Sequence, residues 1–256
     1  MKITFLGTGT SQGVPIIGCQ CPVCKSADER DKRLRSSVLV SHKGSQFIID
    51  AGPDFRQQML REDVRQLNFV LLTHPHKDHT GGLDDVRAFN HLNNKAMDVY
   101  ANRLTCDSLV KDFHYIFDGN DYPGLPKLNL HIIDNKRFTA NNIQIQPIKV
   151  THYDMQIFGY RIDDFAYITD AKHIAEEELS KLMNLNILIM NALRIKEHYS
   201  HFHLEEALHI VKRLSPKQVY FTHISHNLAL HAESKRLLPE NVKLAYDGLR
   251  IDNGKR

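Results

Sequence analysis

Apolar positions along this chain come mostly in runs of a few residues, each closed by a polar cluster, and such runs predict many short strands. Strands are expected over residues 3–7, 37–41, 46–50, 69–73 and 98–100, then over 130–133, 143–150, 158–162, 165–169, 187–190, 219–222, 243–245 and 249–251. Apolar residues at helical spacing predict helices near residues 55–62, 83–93, 104–117, 175–181, 204–214 and 229–238. The early strands are joined by hairpin-like turns such as His42-Lys43-Gly44-Ser45, whereas the later ones alternate with helices. That mixture predicts an α/β (α+β) chain of two sheets packed together with helices outside. No repeat, low-complexity tract or Pro/Gly/Ser-rich linker divides it, so residues 1–256 are expected to form a single domain. The richest loop, Asp118-Gly119-Asn120-Asp121-Tyr122-Pro123-Gly124-Leu125-Pro126, is expected to be either a lid or a plain surface connection.

Composition narrows the function classes. With 42% hydrophobic and 25% charged residues the chain is ordinary for a soluble globular protein. No apolar run approaches the roughly 20 residues that span a bilayer, so no membrane contact is expected. Met1-Lys2-Ile3-Thr4-Phe5-Leu6-Gly7 is too short an apolar stretch for a signal peptide, and a cytoplasmic location is expected. The net charge of +3 is spread along the chain, which gives no footprint for nucleic acid as a partner. Sixteen histidines are the unusual count, and they direct attention to metal.

The segment His74-Pro75-His76-Lys77-Asp78-His79 follows the apolar run Phe69-Val70-Leu71-Leu72-Thr73 and packs His74, His76, Asp78 and His79 into six residues. Imidazole with carboxylate suits zinc, manganese or iron at a hydrolytic site. In an extended loop residues two apart point the same way, so His74 and His76 can clamp one ion while Asp78 and His79 face a second position. The alternative is a polar surface loop that happens to be rich in histidine. Three more polar residues close apolar runs in the same manner: His152 after Ile148-Lys149-Val150-Thr151, Asp170 after Phe165-Ala166-Tyr167-Ile168-Thr169, and His223 after Val219-Tyr220-Phe221-Thr222. Singly each reads as a hydrogen-bonded loop residue; with the histidine cluster the repeated pattern favours ligands. Cys19-Gln20-Cys21-Pro22-Val23-Cys24 supplies three thiols, one short of a tetrahedral zinc, so a fourth ligand must come from elsewhere. Cys106 stands alone in an expected helix and reads as a small core residue.

Gly7-Thr8-Gly9-Thr10-Ser11-Gln12-Gly13-Val14-Pro15, Ile49-Asp50-Ala51-Gly52, the His74–His79 motif, His152, Asp170 and His223 together resemble the metallo-β-lactamase fold hydrolases. Within that superfamily the chain is similar to the phosphodiesterases related to ribonuclease Z, and most of all to the PhnP-type phosphoribosyl cyclic phosphate phosphodiesterases, which share the cysteine cluster and the later Thr222-His223-Ile224-Ser225-His226. The resemblance implies a four-layer αββα sandwich with two divalent ions, zinc or manganese, at one edge of the sheets. It assigns His74, His76 and His152 to one ion, Asp78, His79 and His223 to the other, and Asp170 to both, with Asp50 behind them orienting a ligand. It also supplies His226 as the fourth ligand of a structural zinc on Cys19, Cys21 and Cys24.

The function this implies is hydrolysis of a small, cyclic phosphodiester. Two cations about 4 Å apart acidify a shared water and neutralise phosphate oxygens, so that a bridging hydroxide attacks phosphorus in line. An alkoxide leaves poorly without a proton, so a general acid is wanted on the far side. The resemblance gives that role to His201, with His203 as runner-up, and counts Asp78 among the catalytic residues as well as the ligands. His42, His91, His114, His131, His173, His209 and His231 lack such a context and read as surface or helix-face residues. The rivals are an RNA nuclease of the ribonuclease Z type, a thioester or lactam hydrolase of the same fold, and a non-enzymatic metal-binding module. The first would need a concentrated basic patch, which the chain lacks. Asn191-Ala192-Leu193-Arg194 departs from the pattern expected of the most similar family, which leaves the substrate and pathway open. A homodimer is suggested by analogy alone.

Overall fold

A computed structural model describes residues 1–119 and 122–254. Its strands are β1 (Lys2–Gly7), β2 (Ser37–His42), β3 (Ser45–Ile49), β4 (Phe69–Leu71), β5 (Met97–Ala101), β6 (Leu128–Ile132) and β7 (Phe138–Ala140), followed by β8 (Ile143–His152), β9 (Met155–Ile162), β10 (Phe165–Ile168), β11 (Ile187–Asn191), β12 (Gln218–Thr222), β13 (Val242–Leu244) and β14 (Arg250–Asp252). They form two seven-stranded sheets, ordered β14-β1-β2-β3-β4-β5-β6 and β13-β12-β11-β10-β9-β8-β7.

The period-2 alternation of side chains decides how the layers stack. In β4, Phe69 and Leu71 face the second sheet and join Phe5, Val40, Phe47, Tyr160, Phe165 and Tyr167 in the inter-sheet core, while Val70 points the other way. Val70 meets Phe55, Met59, Leu83, Phe89 and Leu109, carried by segments that cover the outer face. The second sheet repeats this: Leu188 and Phe221 turn outward against Leu179, Leu182, Ala207, Ile210 and Val211. A strand buried on both faces cannot alternate with polar residues, which is why the central strands are continuous apolar runs. The result is a four-layer αββα sandwich.

Strand direction then places the chemistry. β3, β4 and β5 run parallel, and so do β10, β11 and β12. β8 is antiparallel to β9 and β9 to β10, so β8 points the same way as β10. The carboxyl ends of these strands therefore deliver Asp50, Thr73, His152, Asp170, Asn191 and His223 to one edge of the sandwich. Two cross-sheet bonds lock this edge: the buried Tyr160 hydroxyl donates to Leu72 O (2.6 Å) and the Phe158 N–H donates to Thr73 O (3.0 Å).

Several expected elements differ in detail. The edge strand β7 was not expected, because three residues carry no readable period. The expected helix over 104–117 breaks at Phe113, whose φ of −115° leaves the helical region, into Arg103–Asp112 and His114–Phe117. The segment over 83–93 begins as a 3₁₀ turn, Leu83–Val86, before the helix Arg87–Asn93, and the stretch over 229–238 divides likewise at Ser234. Cys106 is buried in its helix, as expected of a small core residue. Asn120 and Asp121 of the 118–126 loop lie outside the described residues. The rest of that loop enters β6 at its amino end, and β6 is parallel to β5, so it lies at the edge opposite His74.

Candidate metal centre

The site begins with backbone geometry. Asp50, Asp170 and His223, each just past the end of its strand, have φ of +69°, +57° and +53°, and all three are buried. This left-handed region is uncommon for any residue with a side chain, and Asp, Asn and His enter it more readily than most. One residue in that conformation turns the chain sharply and leaves its side chain standing on the rim of the sheet. Asp78 and His79 arrive differently. They were expected in an extended loop, but Lys77–Thr80 is one helical turn, closed by the His79 and Thr80 N–H groups donating to His76 O at 3.0 and 3.1 Å. Gly52 is needed beneath that turn, because a Cβ there would lie 2.0 Å from Asp78 O.

These placements bring the ligand candidates together. One group is His74, His76 and His152; another is Asp78, His79, Asp170 and His223; a third is His152, Asp170 and His201, and within each group the donor atoms lie within 4.8 Å of one another. His74 Nε2 faces His76 Nδ1 at 3.1 Å. Asp170 sits at the middle, with Oδ1 2.9 Å from His201 Nε2 and 3.1 Å from His223 Nε2, and Oδ2 3.3 Å from His79 Nε2.

The far nitrogens of three rings are tied down. His152 Nδ1 lies 3.0 Å from Ser200 O, a carbonyl that can only accept, so Nδ1 carries the proton. His79 Nδ1 lies 2.7 Å from the Asp50 carboxylate, and His74 Nδ1 lies 3.0 Å from Thr73 Oγ1, whose hydroxyl itself donates to Asp50. Each ring thus holds a proton on Nδ1 and turns Nε2 toward the site, the nitrogen a metal-binding imidazole would offer. His79 Nε2 is buried 3.1 Å from Asp78 Oδ2 and 3.3 Å from Asp170 Oδ2 without hydrogen-bond geometry to either, a cluster of donor atoms that a cation would satisfy. The donor set therefore fits two divalent ions.

The cysteine cluster makes a separate centre. Cys19, Cys21 and Cys24 Sγ lie 3.3, 3.4 and 3.5 Å from His226 Nδ1. A tetrahedral zinc at about 2.3 Å from sulfur and 2.0 Å from nitrogen has S–N edges of about 3.5 Å, so the four donors already outline its shell. Two backbone amides stabilise the thiolates: the Cys24 N–H donates to Cys21 Sγ and the Ile16 N–H to Cys24 Sγ, both at 3.4 Å. The first of these holds the Cys21 thiol down to about 6, whereas burial pushes Cys24 up to about 11.

Residues 45–224 match the family described as Beta-lactamase superfamily domain. This chain belongs to the metallo-β-lactamase superfamily. It is similar to a solved diphosphatase from the PhnP family, with 39% identity, a TM-score of 0.92 and coverage of 99% of this chain and 98% of that one. It is also 40% identical over 252 residues to an octanoyltransferase of Porphyromonas gingivalis, matching 97% of this chain but only 51% of the relative. The chain therefore spans about half the length of that curated relative. Zinc-bound PqqB of Methylobacterium extorquens, at 20% identity and a TM-score of 0.80 over 98% of this chain and 100% of that one, shares the fold.

In this hydrolase fold the charge distribution of the site bears directly on metal uptake. Burial, reinforced by the neighbouring His79, holds His74 well below the usual histidine range, and burial draws His152 down and His223 to about 4. His79 goes the other way: burial opposes its charge, but Asp78, Asp170 and Asp50 outweigh it and raise its pKa well above the ordinary value. At neutral pH the metal-free protein therefore keeps a proton on His79 that a cation must displace. Metal binding is expected to release that proton and to strengthen as pH rises toward the raised pKa. Calorimetric titration in buffers of different ionisation enthalpy checks this, and a binding heat independent of buffer would contradict it.

Other positions complete the site without having been expected as site residues. Asn191 closes β11 and clamps the residue after Asp170, accepting from the Ala171 N–H (2.9 Å) and donating to Ala171 O (3.0 Å). The signal was a polar residue ending Ile187-Leu188-Ile189-Met190, the same pattern that marked Asp170. Ser200 contributes its carbonyl to His152 and its hydroxyl to His201 Nδ1 (2.8 Å). His203, the runner-up acid, belongs to the start of the helix Leu204–Leu214, where its ring lies 2.7 Å from Glu206.

The two centres share one loop, since His226 follows His223 by three residues. Ile224 between them is pinned, its N–H donating to Thr8 O (2.9 Å) and its carbonyl accepting from the Thr10 N–H (3.2 Å). Cys21→Ser is expected to cost one tightly held zinc and to reduce activity by about tenfold, the size of an outer-shell effect at a metal site. Metal analysis with activity assays checks this; full activity with unchanged metal content would contradict the coupling.

Proposed function

We propose that the chain is a binuclear metal-dependent phosphodiesterase acting on a small phosphodiester, with cyclic phosphates foremost. The observation that carries this reading is the pair of donor groups meeting across Asp170, with His201 resting on the same carboxylate. His74, His76 and His152 would hold one divalent ion, zinc or manganese, and Asp78, His79 and His223 the other, with Asp170 between them. When bound, such a pair supplies Lewis acidity toward phosphate oxygens and lowers the pKa of a coordinated water.

The remaining work belongs to the chain. Asp50 and Thr73 fix the tautomers of His79 and His74, and Ser200 O fixes that of His152. Asp78 would act as a ligand and thereby set the charge at the reaction centre. His201 directs Nε2 at Asp170 Oδ1 (2.9 Å), next to both donor groups, and from there it would serve as the general acid for a leaving oxygen. Cys19, Cys21, Cys24 and His226 would hold a structural zinc.

A second reading rests on the relative called an octanoyltransferase, whose name suggests acyl chemistry. That name describes a protein about twice as long, and the unmatched half has room for the named activity. A panel separates the readings: metal-loaded protein is offered cyclic ribose phosphates, cyclic nucleotides, nitrophenyl phosphodiesters, precursor tRNA and an octanoyl thioester. Turnover of small diesters at a rate insensitive to salt is expected. Thioester cleavage without diester cleavage would overturn the proposal, and preference for precursor tRNA with steep salt dependence would move it to RNA.

A further inference from the structure

Two large tyrosines stand exposed beside the metal centre, outside every role described so far. Tyr153 is 63% exposed and Tyr199 is 72% exposed. Their rings meet at 85° with centroids 5.5 Å apart, forming an open corner. Tyr199 stacks on His198 at 4.5 Å and 24°, and His198 abuts His201 at 5.1 Å. The tyrosines therefore begin two ring steps from the residue that touches Asp170.

Chain connectivity fixes this placement. Tyr153 directly follows His152 at the two-residue corner between β8 and β9, and Tyr199 precedes His201 by two residues. The backbone at Tyr153 has φ of +56°. Two-residue hairpin corners favour Asn, Asp and Gly for such angles, as at Asn141-Asn142 and Asp163, and the exposed Lys43 is the other departure among these corners. A bulky aromatic residue held in that conformation, with its ring in solvent, earns nothing for folding and points to a ligand.

We infer that Tyr153 and Tyr199 form a stacking platform for a nucleobase, so that the substrate is a nucleotide-derived phosphodiester rather than a bare sugar phosphate. This rests on the phosphodiesterase reading for its substrate, although the platform itself is a binding surface that can be measured alone. A base lies one sugar away from its phosphorus, and Tyr199 reaches His201 through His198 in two ring contacts, with centroids 4.5 and 5.1 Å apart. Stacking on tyrosine accepts any base, because every base offers a π face.

The test is calorimetric binding of adenosine 5′-monophosphate and ribose 5-phosphate to the metal-loaded protein. The nucleotide is expected to bind at least about fivefold more tightly, the low end of what one stacked base contributes. That ratio should fall toward one in Tyr199→Ala and in Tyr153→Ala, and should persist in Tyr199→Phe, which keeps the ring. Both residues are exposed, so unchanged melting curves are expected to show that the variants are folded. Equal affinities in the parent protein, or a ratio that survives removal of both rings, would overturn the platform. A base preference in a protein that cleaves no diester would instead sink the phosphodiesterase reading and leave the platform standing.

Discussion

Replacing His201 by alanine is expected to slow cleavage of alkyl phosphodiesters by roughly 10²- to 10⁴-fold, the span that a positioned general acid contributes, with metal content unchanged. The size of the loss should depend on the leaving group. Nitrophenolate departs without a proton, so its esters should suffer much less than a ribose ester. The structure gives this experiment a second edge, because His201 also sits within ligand distance of His152 and Asp170. If the ring were a ligand, the variant would lose metal and both ester classes would slow together. Elemental analysis and paired rate measurements on one preparation distinguish these outcomes.

Asp170→Asn is expected to be more damaging still. The carboxylate touches His79, His201 and His223, and its Oδ2 also accepts from the Thr169 hydroxyl at 2.6 Å. Those neighbours hold its pKa well below the usual carboxylate range despite burial, chiefly through His223 and then His79, so it is charged at any working pH. The amide keeps the shape and removes the charge that would face both cations. Loss of at least one ion and activity at background are expected. The rise in Tm that added zinc gives the parent protein should shrink in the variant, since binding to the folded state is what produces it. Full metal occupancy with an unchanged Tm response would show that Asp170 does not join the two groups.

Much of this architecture was legible in the sequence for a simple reason. When a buried strand ends in a polar residue, the apolar run gives the strand and the residue that stops it gives a candidate for the site, as at Asp170 and His223. Two packed sheets with helices outside followed from the same runs taken in order, whereas the four-layer αββα sandwich and the family came from the resemblance carried by the Gly7–Pro15, Ile49–Gly52 and His74–His79 motifs. What could not be read was contact at long range. Asn191 clamps Ala171, and Ser200 O holds His152, through bonds whose partners lie 20 and 48 positions apart. The cysteines left their fourth partner open on spacing alone, and the fold brings His226 to them from more than 200 positions away. Local conformation also misled at Asp78 and His79, where one helical turn replaces an extended segment because His76 O accepts two amides. The exposed tyrosines had no signal at all, since an aromatic at a hairpin corner stands out only when its φ is known.

The account stands on two cations sharing one edge of the sandwich. Anomalous diffraction from crystals of the protein grown with zinc or manganese tests that directly. Two peaks about 4 Å apart should appear on either side of Asp170. A single peak there, or density only at the cysteines, would contradict it.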